Sequence, residues 1–258
     1  MNRAIGIFTK RICDVLADKA DGIYLFGSAV LDDYRHGWSD IDILCLTNAP
    51  LSDGEAESLV GLRQTLLAEE PDDPYFRRFE GAVLPLEGFL TGNETKTVYW
   101  GTSGQRITDS WSFDVFSMFG LIKHGRLLYG TDRRAMFPLP SYEELRGGVR
   151  EHCETIRRYA RETDERLYSC GWLLDISRCI FTLRYGDVIA KTAAGEWALG
   201  EKLCPDGSAL RRTLEVRRDP LKYKDSAETR EWLCSLGPTV QRYADVLENE
   251  LISAEEVR

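Results

Sequence analysis

With 258 residues, 43% of them hydrophobic and 29% charged, the chain carries enough apolar mass for one large domain or two small ones, which excludes whole-chain disorder, collagen and coiled coil. Its 33 basic and 42 acidic residues leave a net charge of −9, so a long polyanion such as DNA or tRNA is repelled overall while small cationic ligands are attracted. No apolar run approaches the ~20 residues that span a bilayer, and Met1 to Ala17 mixes Arg3, Lys10, Arg11 and Asp14 into its apolar residues, unlike a signal peptide.

The seven cysteines are widely spaced and include no CxxC, which points to small buried hydrophobes in a reducing cytoplasm rather than a disulfide framework or a zinc site. Residues 4–18 carry Ile5, Phe8, Ile12, Val15 and Leu16, the stripe of an amphipathic helix. Gly22 to Phe26 is a short apolar strand ending at Gly27-Ser28, and Asp40 to Leu46 is a second strand. Ser52 followed by Glu55 predicts a capped helix to about Glu69. Phe76 to Leu86 and Thr95 to Trp100 read as further strands, and Ser110 as the cap of a helix to about His124. From Ser141, again with Glu three residues on, the pattern is helical, with helices expected near 141–165, 169–185, 190–203, 208–218 and 226–251. Gly186 is a C-cap for the second of these. Pro138 and Pro140 place a division between a domain of residues 1–140 and one of 141–258. The expected fold class is α+β: a mixed-sheet domain followed by a helical bundle.

The informative stretch runs from Leu25 to Leu44. It contains Gly27-Ser28, eleven intervening residues, then Asp40-x-Asp42. A glycine at a strand-to-helix turn lets backbone approach closely, and a following helix N-terminus offers free N–H groups to phosphate. Ser28 adds a hydroxyl. Residues i and i+2 of a strand face the same way, so Asp40 and Asp42 aim together. Two adjacent carboxylates repel unless a cation lies between them, and oxygen donors suit Mg²⁺.

Strand, Gly-Ser, then a strand opening on Asp-x-Asp resembles the nucleotidyltransferase superfamily, the fold shared with DNA polymerase β. In the second half, Leu173 to Ala198 presents Ser177-Arg178, then Gly186, then Lys191 and a small-residue helix ending Trp197-Ala198. This is similar to the helical domain of aminoglycoside adenylyltransferases, nearest to the streptomycin/spectinomycin (3″)(9)-O-nucleotidyltransferases. The resemblance implies a polymerase β-like catalytic domain and a helical domain binding substrate and nucleotide. It implies transfer of AMP from ATP to a drug hydroxyl with two Mg²⁺ ions, loss of pyrophosphate, and antibiotic resistance as the physiology.

By position, the resemblance places Gly27, Ser28, Ser39, Asp40 and Asp42 at the triphosphate and metals. Glu80, opening an apolar strand, becomes the third carboxylate, as metal ligand and catalytic base. Asp114 matches an acid near the nucleotide, and Arg178 and Lys191 match phosphate ligands. Trp100 and Tyr168 are the substrate-side candidates. That family places two acids before the Ser-Arg helix to hold streptomycin. Here the stretch carries Glu162, Asp164 and Glu165, with Tyr168 where one acid is expected, which favours spectinomycin. The expected partners are a small aminocyclitol or aminoglycoside and ATP, with no nucleic acid and no membrane, for a monomer. Other acceptors (a lincosamide, another small alcohol, a protein hydroxyl) and a catalytically silent nucleotide-binding module stay open. The basic run Arg211-Arg212, Arg217-Arg218, Lys222 and Lys224 reads as a solvated face.

Overall fold

The computed structural model describes residues 1–101 and 104–256. The chain divides into two units, Met1–Val30 with Asp40–Leu139, and Leu31–Ser39 with Pro140–Arg258. The segment Leu31–Ser39 thus belongs with the C-terminal helices, a feature that a single boundary near 140 does not contain.

The first unit contains α1 (Asn2–Leu16), β1 (Ala20–Phe26), β2 (Ile41–Thr47), α2 (Asp53–Glu69), β3 (Phe79–Pro85), α3 (Leu86–Thr91), β4 (Thr97–Gly101), β5 (Gly104–Thr108), α4 (Val115–His124) and β6 (Arg126–Gly130). The strands form one mixed sheet in the order β5-β4-β3-β2-β1-β6. Among the described residues only β2 and β3 run parallel, and α2 supplies the crossover that a parallel pair needs.

Alternation along the strands sorts side chains onto two faces. On one, Phe79 stacks against Phe8 of α1 with ring centroids 3.9 Å apart, and Trp100 meets Phe8 edge-on at 5.2 Å. On the other, Tyr24, Phe26, Leu44, Leu46, Ala82 and Leu84 form a cluster with Phe89 and Leu121. Ser52 caps α2 as expected: its hydroxyl accepts from Glu55 N–H at 3.3 Å, and its own N–H donates to Glu55 Oε2 at 2.7 Å.

Several boundaries differ from the sequence reading. The cap of α4 is Asp114, which accepts from the N–H groups of Phe116 and Ser117, and Ser110 lies outside the helix. β3 starts at Phe79 after a short 3₁₀ turn, and Leu86 already opens α3 behind Pro85. β5 and β6 were not anticipated. Each is a five-residue edge strand whose residues are all exposed or half-buried, so neither shows the buried alternation of an inner strand.

The second unit contains α5 (Tyr142–Tyr159), α6 (Tyr168–Tyr185), α7 (Lys191–Gly200), α8 (Gly207–Arg218), α9 (Pro220–Tyr223), α10 (Ala227–Cys234) and α11 (Gly237–Glu256). Ser141 and Glu144 form a second capping box, and Gly186 ends α6 in the left-handed conformation at φ 63°. The expected helix over 226–251 is two helices. Pro238 has no N–H to donate and sits in the first turn of α11, where that group is not needed, so the chain breaks at Ser235 and Leu236. Among the described residues, no helix is long and apolar enough to cross a membrane.

Candidate active site

The carboxylates of the first unit come together through strand register. Asp42 on β2 is the direct partner of Glu80 on β3, and Phe26 on β1 is the partner of Asp42 on its other side. In-register neighbours share a face, so Asp42 and Glu80 extend the rows that continue as Leu44-Leu46 and Ala82-Leu84 in the apolar cluster. Asp40 precedes β2 by one residue and lies within hydrogen-bonding reach of Glu80. Arg78 Nη1 approaches Asp40 Oδ1 at 3.9 Å.

Gly27 begins the 3₁₀ turn Gly27–Ala29 directly after β1. Its φ is +67°, and a β-carbon there would overlap the Asp42 carboxylate. The glycine therefore has two separate reasons: a left-handed backbone and a carboxylate packed against the turn. A similar accommodation surrounds Glu80. Tyr99 Oη donates to Glu80 Oε1 at 3.1 Å, and a side chain at Gly101 would overlap the Tyr99 hydroxyl. The Arg106 guanidinium stands over the Tyr99 ring at 4.5 Å. Arg63 Nη1 donates to Phe79 O at 3.1 Å and reaches Gly101 O at 3.5 Å.

Burial, followed by the negative charge of Asp40, raises the pKa of Glu80 above the ordinary glutamate value, while Tyr99 and Arg63 act in the opposite direction. The three carboxylates also suit a divalent cation in donor chemistry. They are hard oxygen donors, and the Asp40–Glu80 repulsion is what a cation would relieve. In the present side-chain arrangement, among the described residues, no three His, Cys, Asp or Glu groups converge on one metal position.

The other expected residues fall in distinct places. Ser39 is buried, and its hydroxyl accepts the Arg35 N–H at 3.0 Å, closing the 35–39 turn. Asp114 caps α4. Trp100 corrects the expectation of a substrate-side aromatic. It is 0% exposed, lies on the sheet face opposite Glu80, and donates Nε1–H to Leu59 O at 2.9 Å. It is a core residue, and its neighbour Tyr99 is the aromatic that faces the carboxylates. Tyr168 opens α6, is exposed, and lies edge-on to Trp172 at 4.9 Å. Asp164 is bound to Arg166 Nη2 at 2.6 Å and to the Ser169 hydroxyl at 3.1 Å.

In the second unit, Lys191 and Arg178 meet at a residue that the sequence reading passed over. Asp175 Oδ1 accepts from Lys191 Nζ at 2.8 Å and faces Arg178 Nη2 at 3.4 Å. The signal was present: Asp175 is a charge inside the apolar run Leu173-Leu174-Asp175-Ile176, three residues before Arg178. Arg217 corrects the reading of a solvated basic run. Its side chain is 3% exposed, and Nη2 donates to Asp33 Oδ2 at 2.6 Å. Asp33 also accepts from the N–H and hydroxyl of Thr192, in the first turn of α7, where the N-cap Ala190 has no capping side chain.

The nucleotidyltransferase domain family model matches residues 9–75. That span contains Gly27-Ser28 and Asp40-x-Asp42, and Glu80 lies just beyond it. No curated protein matches the chain by sequence. Among solved structures the chain is similar to the crystal structure of spectinomycin adenyltransferase AAD(9) from Enterococcus faecialis with ATP and spectinomycin. The identity is 17% and the TM-score 0.68, over 96% of this chain and 99% of that one. At that identity the likeness speaks for the fold. The chain therefore carries a region that matches the nucleotidyltransferase domain, holding the Gly-Ser turn and the Asp-x-Asp strand, and it shares its fold with that adenyltransferase.

Proposed function

We propose that the protein transfers AMP from ATP to a hydroxyl of an aminocyclitol or aminoglycoside antibiotic, spectinomycin foremost, and so inactivates the drug. The observation that carries this reading is the pairing of Asp42 with Glu80 beside the Gly27-Ser28 turn, with Asp40 adjacent. ATP and spectinomycin are in the crystal structure of the similar adenyltransferase. A net charge of −9 suits a cationic acceptor. Spectinomycin is preferred to streptomycin because Tyr168 stands where that family places an acid, and Asp164 is engaged by Arg166 and Ser169.

Asp40 and Asp42 would hold Mg²⁺, with Glu80 as the third ligand. When bound, the metal supplies charge neutralisation at the triphosphate and polarises the α-phosphate. Ser28 and Ser39 offer hydroxyls to the triphosphate, with Asp114 on the nucleotide side. Lys191 and Arg178 carry the positive charge that phosphate needs. Tyr99 holds Oε1 of Glu80, and the Glu80 carboxylate would take the acceptor proton. The acceptor oxygen attacks the α-phosphorus in line, the bond to the β-phosphate oxygen breaks, and pyrophosphate leaves.

The test is pyrophosphate release from ATP and Mg²⁺ with spectinomycin, streptomycin, kanamycin and a lincosamide run separately, and with product mass checked for added AMP. Modified spectinomycin supports the reading. Silence with spectinomycin and turnover with a lincosamide would move the acceptor elsewhere in the superfamily. Silence across the panel with ATP bound would exclude these antibiotics.

A further inference from the structure

We infer that Asp175 is a positioning residue, a single buried carboxylate oxygen that gathers Lys191 and Arg178 into one site for the triphosphate. The inference rests on the proposed reading of that pair as the ATP phosphate ligands.

Two cations on neighbouring elements repel each other, and each loses hydration when packed against apolar helices. Lys191 opens α7, while Arg178 lies in α6, one turn beyond Asp175. Both charged groups converge on Oδ1 of Asp175, at 2.8 and 3.4 Å. The Asp175 side chain is 2% exposed, whereas those of Lys191 and Arg178 are 27% and 21% exposed. The anion is therefore the most deeply buried of the three.

The helices are packed closely at this point. A β-carbon on Gly195 of α7 would stand 2.6 Å from Leu174 Cδ2, beside Asp175 on α6. His152 of α5 adds a further stabilising influence on the Asp175 anion. Burial raises the Asp175 pKa, but Lys191, Arg178 and His152 outweigh it and hold the carboxyl below its ordinary value. Burial and Arg178 lower the Lys191 pKa, and Asp175 opposes them. Removing the Asp175 charge thus takes away what opposes the lowering of the Lys191 pKa as well as what aims its ammonium group. A carboxylate that merely filled space in the bundle would have neither effect.

Calorimetry with inorganic tripolyphosphate, ATP and adenosine tests this without an acceptor. Asp175→Asn is expected to weaken tripolyphosphate and ATP binding by roughly tenfold or more, the worth of one charged hydrogen bond, and to leave adenosine binding unchanged. Combined with Lys191→Met, the losses are expected to be less than additive, because the two residues act as one unit. Wild-type tripolyphosphate affinity in Asp175→Asn, alongside a loss in Lys191→Met, would overturn the positioning role and keep the nucleotide reading. Wild-type ATP affinity in both Lys191→Met and Arg178→Met would overturn the nucleotide reading itself, and this inference with it. If Asp175→Asn does not fold, Asp175→Glu keeps the charge and moves it by one methylene. A folded Asp175→Glu with lost tripolyphosphate affinity supports the role, and unchanged affinity overturns it.

Discussion

Gly27 has no side chain where the Asp42 carboxylate packs against the turn after β1, and a β-carbon there would overlap that carboxylate. The same residue holds φ at +67°. Gly27→Ala is therefore expected to displace Asp42 as well as strain the turn. Turnover should fall by about tenfold or more, the cost of ~1.4 kcal/mol in the barrier, while circular dichroism shows an intact fold. Steady-state kinetics beside a thermal melt checks this. A variant with wild-type kcat would show that the packing of Asp42 on the turn does not matter to the reaction.

Glu80 and Tyr99 separate proton acceptance from positioning. Glu80→Gln removes the acceptor and should lower kcat by roughly 10²–10⁴-fold. Tyr99→Phe removes only the 3.1 Å hydrogen bond to Oε1 and should cost less. ATP binding, read by calorimetry, should survive in Tyr99→Phe. Equal losses of kcat in the two variants would contradict the division of roles.

The Asp33–Arg217 pair predicts stability rather than rate. Both side chains are under 5% exposed, so removing Arg217 leaves the buried Asp33 carboxylate with Thr192 and with Arg35 Nε at 3.5 Å, without its 2.6 Å charge partner. Arg217→Met should cost about 3–5 kcal/mol in urea unfolding. The pH dependence follows from Asp33. Burial raises its pKa, but Arg217 and Thr192 outweigh burial and leave it below the ordinary 3.8. A depressed carboxyl stabilises the fold fully above its unfolded pKa, and that stability is lost as pH falls through the folded value. The gap between wild type and Arg217→Met should thus be widest near neutral pH and shrink in acid. A gap that widens in acid would refute the assignment.

Trp100 and Tyr168 differ in burial and should differ in effect. Trp100→Phe leaves Leu59 O without its 2.9 Å donor and should cost about 1–3 kcal/mol of stability, with the acceptor KM unchanged. Tyr168→Ala should leave stability near wild type and raise the acceptor KM. A raised KM in Trp100→Phe would return that residue to the substrate side.

The legible parts of the fold were those written in local chemistry. The capping boxes at Ser52 and Ser141, the apolar strands around Gly22 and Asp40, and Gly186 at a helix end each depend on a few neighbouring residues. What was not legible depends on partners far along the chain. Arg217 looks like one of six basic residues until Asp33 is found beside it, 184 residues away. Trp100 and Tyr99 are adjacent, and only the pairing of β4 with β3 decides which one faces Glu80. Asp175 was hidden because a helix interior seemed to need no charge, and its cations come from one turn beyond it and from the next helix. β5 and β6 stayed invisible because edge strands of this length need no apolar alternation.

The most direct measurement of the central claim follows the label from ATP to spectinomycin, with ATP labelled at either the α- or the γ-phosphorus and Asp42→Asn as the blank. Nucleotidyl transfer predicts that the α-label appears on the drug, that the γ-label leaves as pyrophosphate, and that Asp42→Asn transfers neither. A γ-label on the drug, or an α-label transferred by Asp42→Asn as fast as by the wild type, would contradict the account.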